Sequence, residues 1–260
     1  MNNKPKPLKR FGQNYLTDKN TINKIVTEFN PSEEDIVLEI GPGTGSLTSL
    51  LYDKVKKYTA VEIDTRVIEE LKAKFPSVEI INNDILDIDL KAVSPNKIRV
   101  IGNIPYNITS PIIFKLIENR TLVNDVMLMV QYEVAKRITT TQRGTKDYGI
   151  LAVLVNYFAE TKLCFKISPN VFYPKPKVFS AIVHLRFREL GNEIVDDKLL
   201  IQTVKAAFGN RRKTLKNSLS NSIFAQVNFE SLSFLLTKRA EELEISDFIK
   251  LASLIKKQSS

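Results

Sequence analysis

The chain has 260 residues, 43% of them apolar, and a formal net charge of +9. This length suffices for one large α/β core with a small appended unit. No apolar run reaches the roughly 18–20 residues of a membrane span, and residues 1–10 lack the apolar core of a signal peptide. We therefore expect a cytoplasmic protein that binds no membrane. A single cysteine and a single histidine exclude an internal disulfide and a Cys/His zinc site, and we expect no bound metal.

The positive charge is concentrated at the two ends of the chain. Residues 1–10 carry four basic and no acidic side chains, and residues 196–260 carry eleven basic and seven acidic ones, whereas the segment between them is nearly neutral. Such a distribution is typical of a protein that grips a polyanion. We predict a flexible basic arm at residues 1–10, in which Arg10 contacts nucleic acid.

Residues 11–190 are predicted to form one α/β domain. Apolar stretches predict strands at 36–40, 59–63, 78–82, 98–101, 125–131, 161–167 and 180–187. Helical stretches fall between them at 20–29, 47–54, 66–75, 111–118, 132–139 and 150–158. This alternation is typical of a mostly parallel sheet with helices on both faces. A proline-rich stretch joins the last two strands, so we expect them to pair antiparallel at one side of the sheet.

Residues 191–260 are predicted to form a small all-helical domain after a short polar boundary. Its helices are expected at 198–208, 211–221, 229–235 and 245–255. The second of these helices carries four basic residues within two turns, namely Arg211, Arg212, Lys213 and Lys216. We expect them to contact phosphates, the alternative being an ordinary solvated helix face.

The first strong strand leads into a glycine-rich loop with the sequence EIGPGTG at residues 39–45. Glycines allow sharp turns and a close approach of the backbone to a ligand. The spacing differs from the dinucleotide fingerprint G-x-G-x-x-G, which disfavours a nicotinamide oxidoreductase. A loop of the form Glu-x-Gly-x-Gly-x-Gly is typical of Rossmann-like methyltransferases, so we predict that Gly41 and Gly43 bind S-adenosylmethionine.

Two acidic residues follow the next two predicted strands. Glu62 lies about 20 residues beyond the loop, where a carboxylate can accept hydrogen bonds from both ribose hydroxyls of a nucleoside. Asp84 is placed to accept from an adenine amino group, and Ile63 and Ile85 are expected to line the same site. Taken singly, each acid could be a helix N-cap instead.

The tetrapeptide Asn103-Ile104-Pro105-Tyr106 lies between a predicted strand and a predicted helix. A tetrapeptide of this kind in this position predicts methyl transfer to the exocyclic amino group of a planar base. In adenine, the N6 lone pair is delocalised into the ring and is a poor nucleophile. Two oxygens can accept hydrogen bonds from its two N–H groups and so localise that lone pair: the side-chain amide oxygen of Asn103 and a nearby backbone carbonyl. This carbonyl is exposed because Pro105 keeps the turn out of any strand pairing. Tyr106 can stack on the base. The alternative is an ordinary turn with a buried tyrosine.

These motifs, together with several others in the same order, resemble those of the small-subunit ribosomal RNA adenine dimethyltransferases (RsmA/KsgA). The further motifs are RFGQNYL at 10–16, MxQxEVAxR at 129–137, YG at 148–149, FYPKPKVxS at 172–180 and FxNRRKTLxNSL at 208–219. The resemblance runs from about residue 9 to the C-terminus.

The resemblance implies a seven-stranded Rossmann-like methyltransferase domain with a helical rRNA-binding domain. It implies two methylations of each of two adjacent adenosines in the terminal hairpin of small-subunit rRNA, on a pre-30S particle, by a monomer. Asn14 and Leu16 would close over the cofactor, and Asn103 would face both cofactor and base. Tyr106 and Phe172 would sandwich a flipped adenine, although Phe172 could be a core aromatic instead.

Two other functions stay open at this point. Erm-type enzymes, which methylate 23S rRNA and give macrolide resistance, share the fold and the chemistry but lack the basic RRKTLxNSL stretch. A non-catalytic assembly or transcription factor could keep the same fold only for binding, but the intact glycine loop and N-I-P-Y sequence argue against it.

Overall fold

The computed structural model describes residues 7–8, 12–189 and 196–259, the last without its side chain. Arg10 and most of the predicted basic arm lie outside the described residues. Within the described part, the strands are β1 (Tyr15–Leu16), β2 (Ile36–Ile40), β3 (Lys57–Glu62), β4 (Glu79–Asn82), β5 (Ile98–Asn103), β6 (Val123–Gln131), β7 (Ala159–Ile167), β8 (Phe172–Tyr173) and β9 (Ser180–Phe187). The helices are α1 (Lys19–Phe29), α2 (Thr48–Leu51), α3 (Thr65–Lys74), α4 (Leu90–Val93), α5 (Thr109–Glu118), α6 (Tyr132–Thr139), α7 (Ile150–Phe158), α8 (Asp197–Ala207), α9 (Leu215–Ser220), α10 (Ser233–Leu236) and α11 (Ile245–Ser259).

The chain divides into two compact units. The sheet unit comprises residues 1–135 and 161–187, and the helical unit comprises residues 136–160 and 188–260. The boundary near residue 188 lies close to the predicted one at 190–191. The division differs from the prediction in assigning residues 136–160 to the helical unit.

The main sheet has seven strands in the order β4-β3-β2-β5-β6-β9-β7. The first five of these are parallel neighbours, and β9 is antiparallel to β6. The central strands are buried on both faces, which explains why they read as continuous apolar runs in the sequence. The order reverses direction at β2 and β5, and ligands of open α/β sheets bind at such a switch point.

A second, two-stranded sheet joins two distant parts of the sheet unit. Strand β1 pairs antiparallel with β8, so that Leu16 lies opposite Phe172. The amide of Thr17 also donates to the carbonyl of Val171 at 2.9 Å. This pairing fixes the segment that enters α1, whose N-cap Asp18 accepts from the amide of Thr21 at 2.7 Å.

The helical unit packs α8 against α7, α9 and α11. The rings of Phe208 and Phe248 stack with their centroids 5.9 Å apart. The hydroxyl of Tyr148 donates to the carbonyl of Leu243 at 2.8 Å, which ties the segment before α7 to the segment before α11. No helix in the described part of the chain is both long and apolar enough to cross a lipid bilayer.

The predicted helix at 211–221 is wrong in its first turn. A 3-10 turn ends at Asn210, the amide of Lys213 donates to the carbonyl of Asn210, and α9 begins only at Leu215. Gly209 and Asn210 favour a turn, and Thr214 adopts the extended conformation of an N-cap residue. Arg211, Arg212 and Lys213 therefore lie on a loop, and Lys216 alone of the four basic residues is helical.

Candidate active site

A cavity of about 250 Å³ opens at the carboxyl ends of β2, β3 and β5 in the sheet unit. Its walls are the segment before α1, the glycine loop after β2, the ends of β3 and β4, and the N-I-P-Y loop after β5. Sequence reasoning predicted most of these walls. The predicted residues that line the cavity are Asn14, Leu16, Gly41, Gly43, Glu62, Ile63, Asp84, Ile85, Asn103, Ile104, Pro105 and Tyr106.

The glycine loop adopts backbone conformations that L side chains rarely take. Gly43 has φ +57°, and a Cβ atom there would lie 3.0 Å from the ring of Tyr15. Gly45 has φ +82°, and a Cβ atom there would lie 2.5 Å from the ring of Phe75. Glycine is therefore required for conformation and for space, and the floor of the cavity is bare backbone.

Glu62 is held by two backbone amides at the end of β3. Its Oε2 accepts from the amide of Gly43 at 2.9 Å and its Oε1 accepts from the amide of Asp64 at 2.9 Å. Burial raises the pKa of Glu62, while these two hydrogen bonds act in the opposite direction. Each carboxylate oxygen keeps a lone pair, so the group can still accept from the hydroxyls of a bound sugar.

Asp84 combines the two roles that the sequence left open. Its Oδ1 accepts from the amide of Leu86 at 2.9 Å, as an N-cap does, and the residue also lines the cavity. Oδ2 is then the acceptor left for a ligand amino group. Next to it, Ile85 is buried, whereas Ile63 after β3 is partly exposed.

Asn103 stands at the end of β5 with its amide oriented by the chain. Its Nδ2 donates to the carbonyl of Asn14 at 2.9 Å, across 89 positions of sequence. One of the two N–H donors of the amide is thereby used, which orients the side chain and leaves Oδ1 as the acceptor. An amide held in this way offers a ligand N–H group an oxygen rather than a nitrogen.

Tyr106 follows in a 3-10 turn and is half-buried. Its hydroxyl lies 2.6 Å from Oγ of Ser180 at the start of β9, and burial raises its pKa. Two fixed ends, the backbone turn and the hydroxyl, hold the ring at the cavity wall. Ile104 is buried beneath the loop, and Pro105 has the extended ψ of 133° that turns the chain out of the sheet.

Phe172 lies in the core of the sheet unit and not at the cavity wall, where stacking on a base would place it. Its side chain is 5% exposed and packs in the core cluster with Leu16, Met129 and Ile182. It is not among the residues that line the cavity. The structure thus matches the alternative of a core aromatic, and stacking on a base would require the ring to leave this packing. The stacking role stays a prediction.

Sequence reasoning missed a polar network beside the cavity. Gln13 donates from Nε2 to Oδ2 of Asp64 at 2.8 Å, and its Oε1 accepts from the amide of Leu8 at 2.8 Å and from the hydroxyl of Tyr15 at 3.1 Å. Arg66 binds both oxygens of Asp64 and holds the pKa of this carboxyl at about 2. Gln13 and Tyr15 were visible in the RFGQNYL motif, but nothing local in the sequence pairs Gln13 with Asp64.

Glu39, the acid of the glycine motif, was also left without a role. It is buried at the end of β2, where its Oε2 accepts from Thr48 Oγ1 at 2.5 Å and from the hydroxyl of Tyr58 at 2.8 Å. Burial raises the pKa of Glu39 to about 7. The carboxyl connects β2, β3 and α2 directly beneath the cavity.

Apart from Arg10, which lies outside the described residues, the predicted RNA-binding residues belong to the helical unit and divide into two kinds. Arg211 donates from Nε to Glu241 at 3.0 Å and from its Nη2 to the carbonyls of Thr145 and Tyr148. It is therefore partly committed to internal contacts. The side chains of Arg212, Lys213 and Lys216 are exposed.

Neither the residues nor their arrangement suggest a metal centre. Among residues 7–8, 12–189 and 196–259, no group of three or more His, Cys, Asp and Glu side chains could hold a metal ion. His184 is paired with Asp125 at 2.7 Å, and Asp125 in turn with Arg99. The single cysteine and the single histidine thus lie in β7 (Cys164) and β9 (His184), outside the cavity.

Comparison with known proteins agrees with this geometry. A family model described as ribosomal RNA adenine dimethylase matches residues 5–257. The chain belongs to this family. Strand order, glycine loop and N-I-P-Y loop are then the parts of one Rossmann-like methyltransferase fold.

Relatives of the family cover nearly the whole chain. Proteins named ribosomal RNA small subunit methyltransferase A are 43% identical in Chlorobium phaeobacteroides, covering 95% of this chain and 91% of that protein. In Legionella pneumophila the identity is 41%, with 96% and 98% covered. The expected family and fold are thereby confirmed.

Two solved structures are similar to this chain over most of its length. A dimethyladenosine transferase from Plasmodium falciparum superposes with a TM-score of 0.79 at 29% identity, covering 94% of this chain and 98% of that one. The 23S rRNA methyltransferase ErmE superposes with a TM-score of 0.67 at 27% identity, covering 94% and 100%. The Erm-type alternative is thus a more distant structural neighbour.

Proposed function

We propose that this adenine dimethylase transfers methyl groups from S-adenosylmethionine to N6 of two adjacent adenosines in the 3′-terminal hairpin of small-subunit rRNA. The products are N6,N6-dimethyladenosines, and the substrate is a late 30S assembly particle. The names of the relatives that match at about 40% identity over more than 90% of their own length support the choice of the small subunit. The observation that carries the chemistry is the amide of Asn103, which lines the cavity and is oriented by a hydrogen bond from its Nδ2 to the carbonyl of Asn14, so that Oδ1 is left as an acceptor.

The cavity fits a positively charged nucleoside. Three acidic side chains line it, those of Glu39, Glu62 and Asp84, and no lysine or arginine is among the lining residues in the described part of the chain. A dinucleotide would bring its pyrophosphate next to these acidic groups. A sulfonium ion carries the opposite charge and is stabilised by the same carboxylates. The bare backbone of the glycine loop leaves room for a ligand at the floor.

The roles of the cavity residues follow from their hydrogen-bonding capacity. Glu62 accepts from the ribose hydroxyls, and Asp84 accepts from the adenine amino group of the methyl donor. Gly41 and Gly43 form the floor, and Asn14 and Leu16 cover it, with Ile63 and Ile85 along the sides. When bound, S-adenosylmethionine supplies a methyl group on a positively charged sulfur. The sulfur needs no further activation, because it leaves as a neutral thioether.

The protein then has to position the target base and exclude water. Asn103 Oδ1 and the carbonyl of the loop accept hydrogen bonds from the two N6–H groups, which localises the lone pair for attack. Tyr106, fixed by Ser180, stacks on the base. Orientation of this kind can supply up to roughly 7–11 kcal/mol. The target must be flipped or unpaired, which costs a few kcal/mol.

No side chain of the loop acts as a base before attack in this mechanism. The N6 proton becomes acidic only after methylation and leaves by way of Asn103 or the neighbouring carbonyl to water. The second methylation requires the monomethylated amine to rotate beside Asn103. Phe172 would form the second stacking wall only if its ring leaves the core on RNA binding.

Transfer of labelled methyl groups to unmethylated small subunits, followed by nucleoside analysis, tests the proposal. We expect N6,N6-dimethyladenosine in small-subunit rRNA. Label in 23S rRNA instead would indicate the Erm-type function. Binding of small subunits without any transfer would indicate a non-catalytic assembly factor.

Replacing Asn103 by alanine tests the acceptor role. We expect kcat to fall by roughly 10²–10³, the range seen when one preorganised polar group is removed from the reacting centre, with rRNA binding largely retained. Asn96, an exposed asparagine in a turn far from the cavity lining, provides the control Asn96→Ala. Near-normal turnover of Asn103→Ala would remove the proposed role.

A further inference from the structure

A group of one exposed ring, one half-buried ring and one exposed lysine lies on the sheet unit. The Nζ atom of Lys166 lies 3.9 Å from the ring centroid of Phe179 and 4.6 Å from that of Tyr132. The amide of Tyr132 donates to the carbonyl of Phe179 at 2.9 Å, which fixes the two residues relative to each other. We call Tyr132, Lys166 and Phe179 the aromatic–lysine cluster.

Folding alone does not account for the exposure of this cluster. Phe179 is 46% exposed, and its neighbour Val178 is 41% exposed, in a unit whose other large apolar side chains mostly form a closed core. The ammonium group of Lys166 has no carboxylate partner among the ion pairs of the described residues. The cluster thus offers solvent part of an aromatic ring and a positive charge without a carboxylate partner among those ion pairs.

The cluster adjoins the loop that holds Tyr106. Phe179 immediately precedes Ser180, and the Oγ of Ser180 lies 2.6 Å from the hydroxyl of Tyr106. Consecutive Cα atoms are about 3.8 Å apart, so the exposed ring is next in sequence to the residue that fixes Tyr106. A base held by Tyr106 would therefore lie near this segment, and so would the nucleotides that flank it.

The surrounding segment is positively charged, which favours binding of a polyanion and disfavours a basic protein partner. Residues 168–180 contain two lysines, Lys175 and Lys177, and no acidic residue. Both lysines are exposed. An aromatic face beside lysines is the combination that binds single-stranded nucleic acid, since the ring stacks on a base and the cation contacts a phosphate.

We propose that the aromatic–lysine cluster binds a nucleotide flanking the target adenosine, with the exposed ring of Phe179 stacked on its base and Lys166 at its phosphate. This inference rests on the proposed function. It makes Phe179 a residue that positions the RNA substrate and takes no part in binding the methyl donor.

The ring is tested by Phe179→Ala, with Phe179→Trp as the conservative variant. Removal of one stacking platform should raise KM for unmethylated small subunits by roughly five- to 150-fold, with kcat and the Kd for S-adenosylmethionine within twofold of wild type. Tryptophan should restore KM. Phe234, another phenylalanine that is 57% exposed, provides the matched control Phe234→Ala, which should leave KM unchanged.

The cation is tested by Lys166→Gln. Removing the charge that neutralises one phosphate should lower the slope of log K against log salt concentration by roughly 0.7–0.9. Lys24 provides a matched control, because its Nζ likewise lies over a ring, 4.1 Å from the centroid of Phe165. Lys24→Gln should leave the salt slope unchanged.

Two results would overturn the inference. One is a KM for Phe179→Ala equal to that of Phe234→Ala, and the other is a salt slope for Lys166→Gln equal to that of Lys24→Gln. Neither result would touch the proposed function, which fails if the wild-type enzyme makes no dimethyladenosine in small-subunit rRNA. An altered Kd for S-adenosylmethionine in Phe179→Ala would show a structural disturbance of the cavity, and would likewise count against a role confined to RNA.

Discussion

At the scale of single residues, Glu39 makes the sheet unit sensitive to pH. Its pKa is raised from 4.5 to about 7 by burial, so the folded state holds this proton more tightly than the unfolded chain does. The stabilising contribution of the protonated carboxyl is complete below pH 4.5 and is lost as the pH rises through 7. The loss is about 3 kcal/mol, since each pKa unit is worth about 1.4 kcal/mol.

The variant Glu39→Gln should abolish this dependence. A glutamine Oε1 can accept from Thr48 and Tyr58 as the protonated acid does, and it cannot ionise. We expect the free energy of unfolding of the wild type, measured by chemical denaturation at pH 5 and pH 8, to fall by about 2.5 kcal/mol more than that of the variant. Parallel pH profiles of the two proteins would show that Glu39 titrates at its ordinary pKa.

The hydrogen bond between Gln13 and Asp64 predicts that the amide and the carboxylate can be exchanged between the two positions. Gln13→Glu places two carboxylates 2.8 Å apart, and we expect the Kd for S-adenosylmethionine to rise by roughly tenfold or more, because a charged hydrogen bond is replaced by repulsion. In the double variant Gln13→Glu with Asp64→Asn, the amide at position 64 donates the hydrogen bond to the carboxylate at position 13. Asparagine also remains a good N-cap for α3.

Titration calorimetry of the single and double variants measures this exchange. The double variant should recover most of the affinity that the single variant Gln13→Glu loses, although the bidentate contact of Arg66 with Asp64 is weakened. The single variant Asp64→Asn is the control for that second effect. A double variant no better than the sum of the two singles would show that the two side chains act independently.

The same residues show what the sequence could predict about the site. The glycine loop, Glu62, Asp84 and Asn103 were found because each stands at the carboxyl end of an apolar run, where ligands of parallel sheets bind. Gln13 and Glu39 received no role, because their partners lie on other elements and a local pattern carries no information on them. Phe172 was assigned to the site from a motif, yet its burial depends on packing that a motif does not encode.

At the scale of elements, the main strands were predictable because they are buried on both faces and read as apolar runs. Strands β1 and β8 were not, since two residues show no periodicity and their pairing joins distant parts of the chain. The start of α9 was missed because a basic segment with good helix formers suggested a helix, whereas the turn at Gly209 and Asn210 and the contacts of Arg211 hold residues 211–214 in a loop.

The glycine loop gives a prediction at this scale. In Gly45→Ala the new Cβ meets both a left-handed φ and the ring of Phe75 at 2.5 Å, whereas in Gly144→Ala it meets a left-handed φ of +72° and open space. We expect the control Gly144→Ala to lower the free energy of unfolding by about 1–3 kcal/mol and Gly45→Ala by about twice that. Equal losses in denaturation experiments would mean that Phe75 moves aside at no cost.

At the scale of the whole molecule, the charge excess of residues 196–260 should determine how salt affects rRNA binding. Reversing Arg212, Lys213 and Lys216 to glutamate should weaken binding and reduce the salt slope by roughly 0.7–0.9 for each phosphate that the protein no longer neutralises. Arg211→Gln should behave differently and lower thermal stability, because its guanidinium bonds to Glu241 and to two carbonyls. An unchanged slope in the triple variant would contradict an RNA-gripping role.

The helical unit is assembled from two separated stretches of chain, residues 136–160 and 188–260. During synthesis the first stretch is made before α8 and α11. The apolar face of α7 therefore stays exposed until α8 has been made and packs against it. A fragment that starts near residue 190 would lack that helix and the carbonyls that receive Arg211, and should therefore stay unfolded. The nascent chain must therefore extend through α11 before the helical unit can pack.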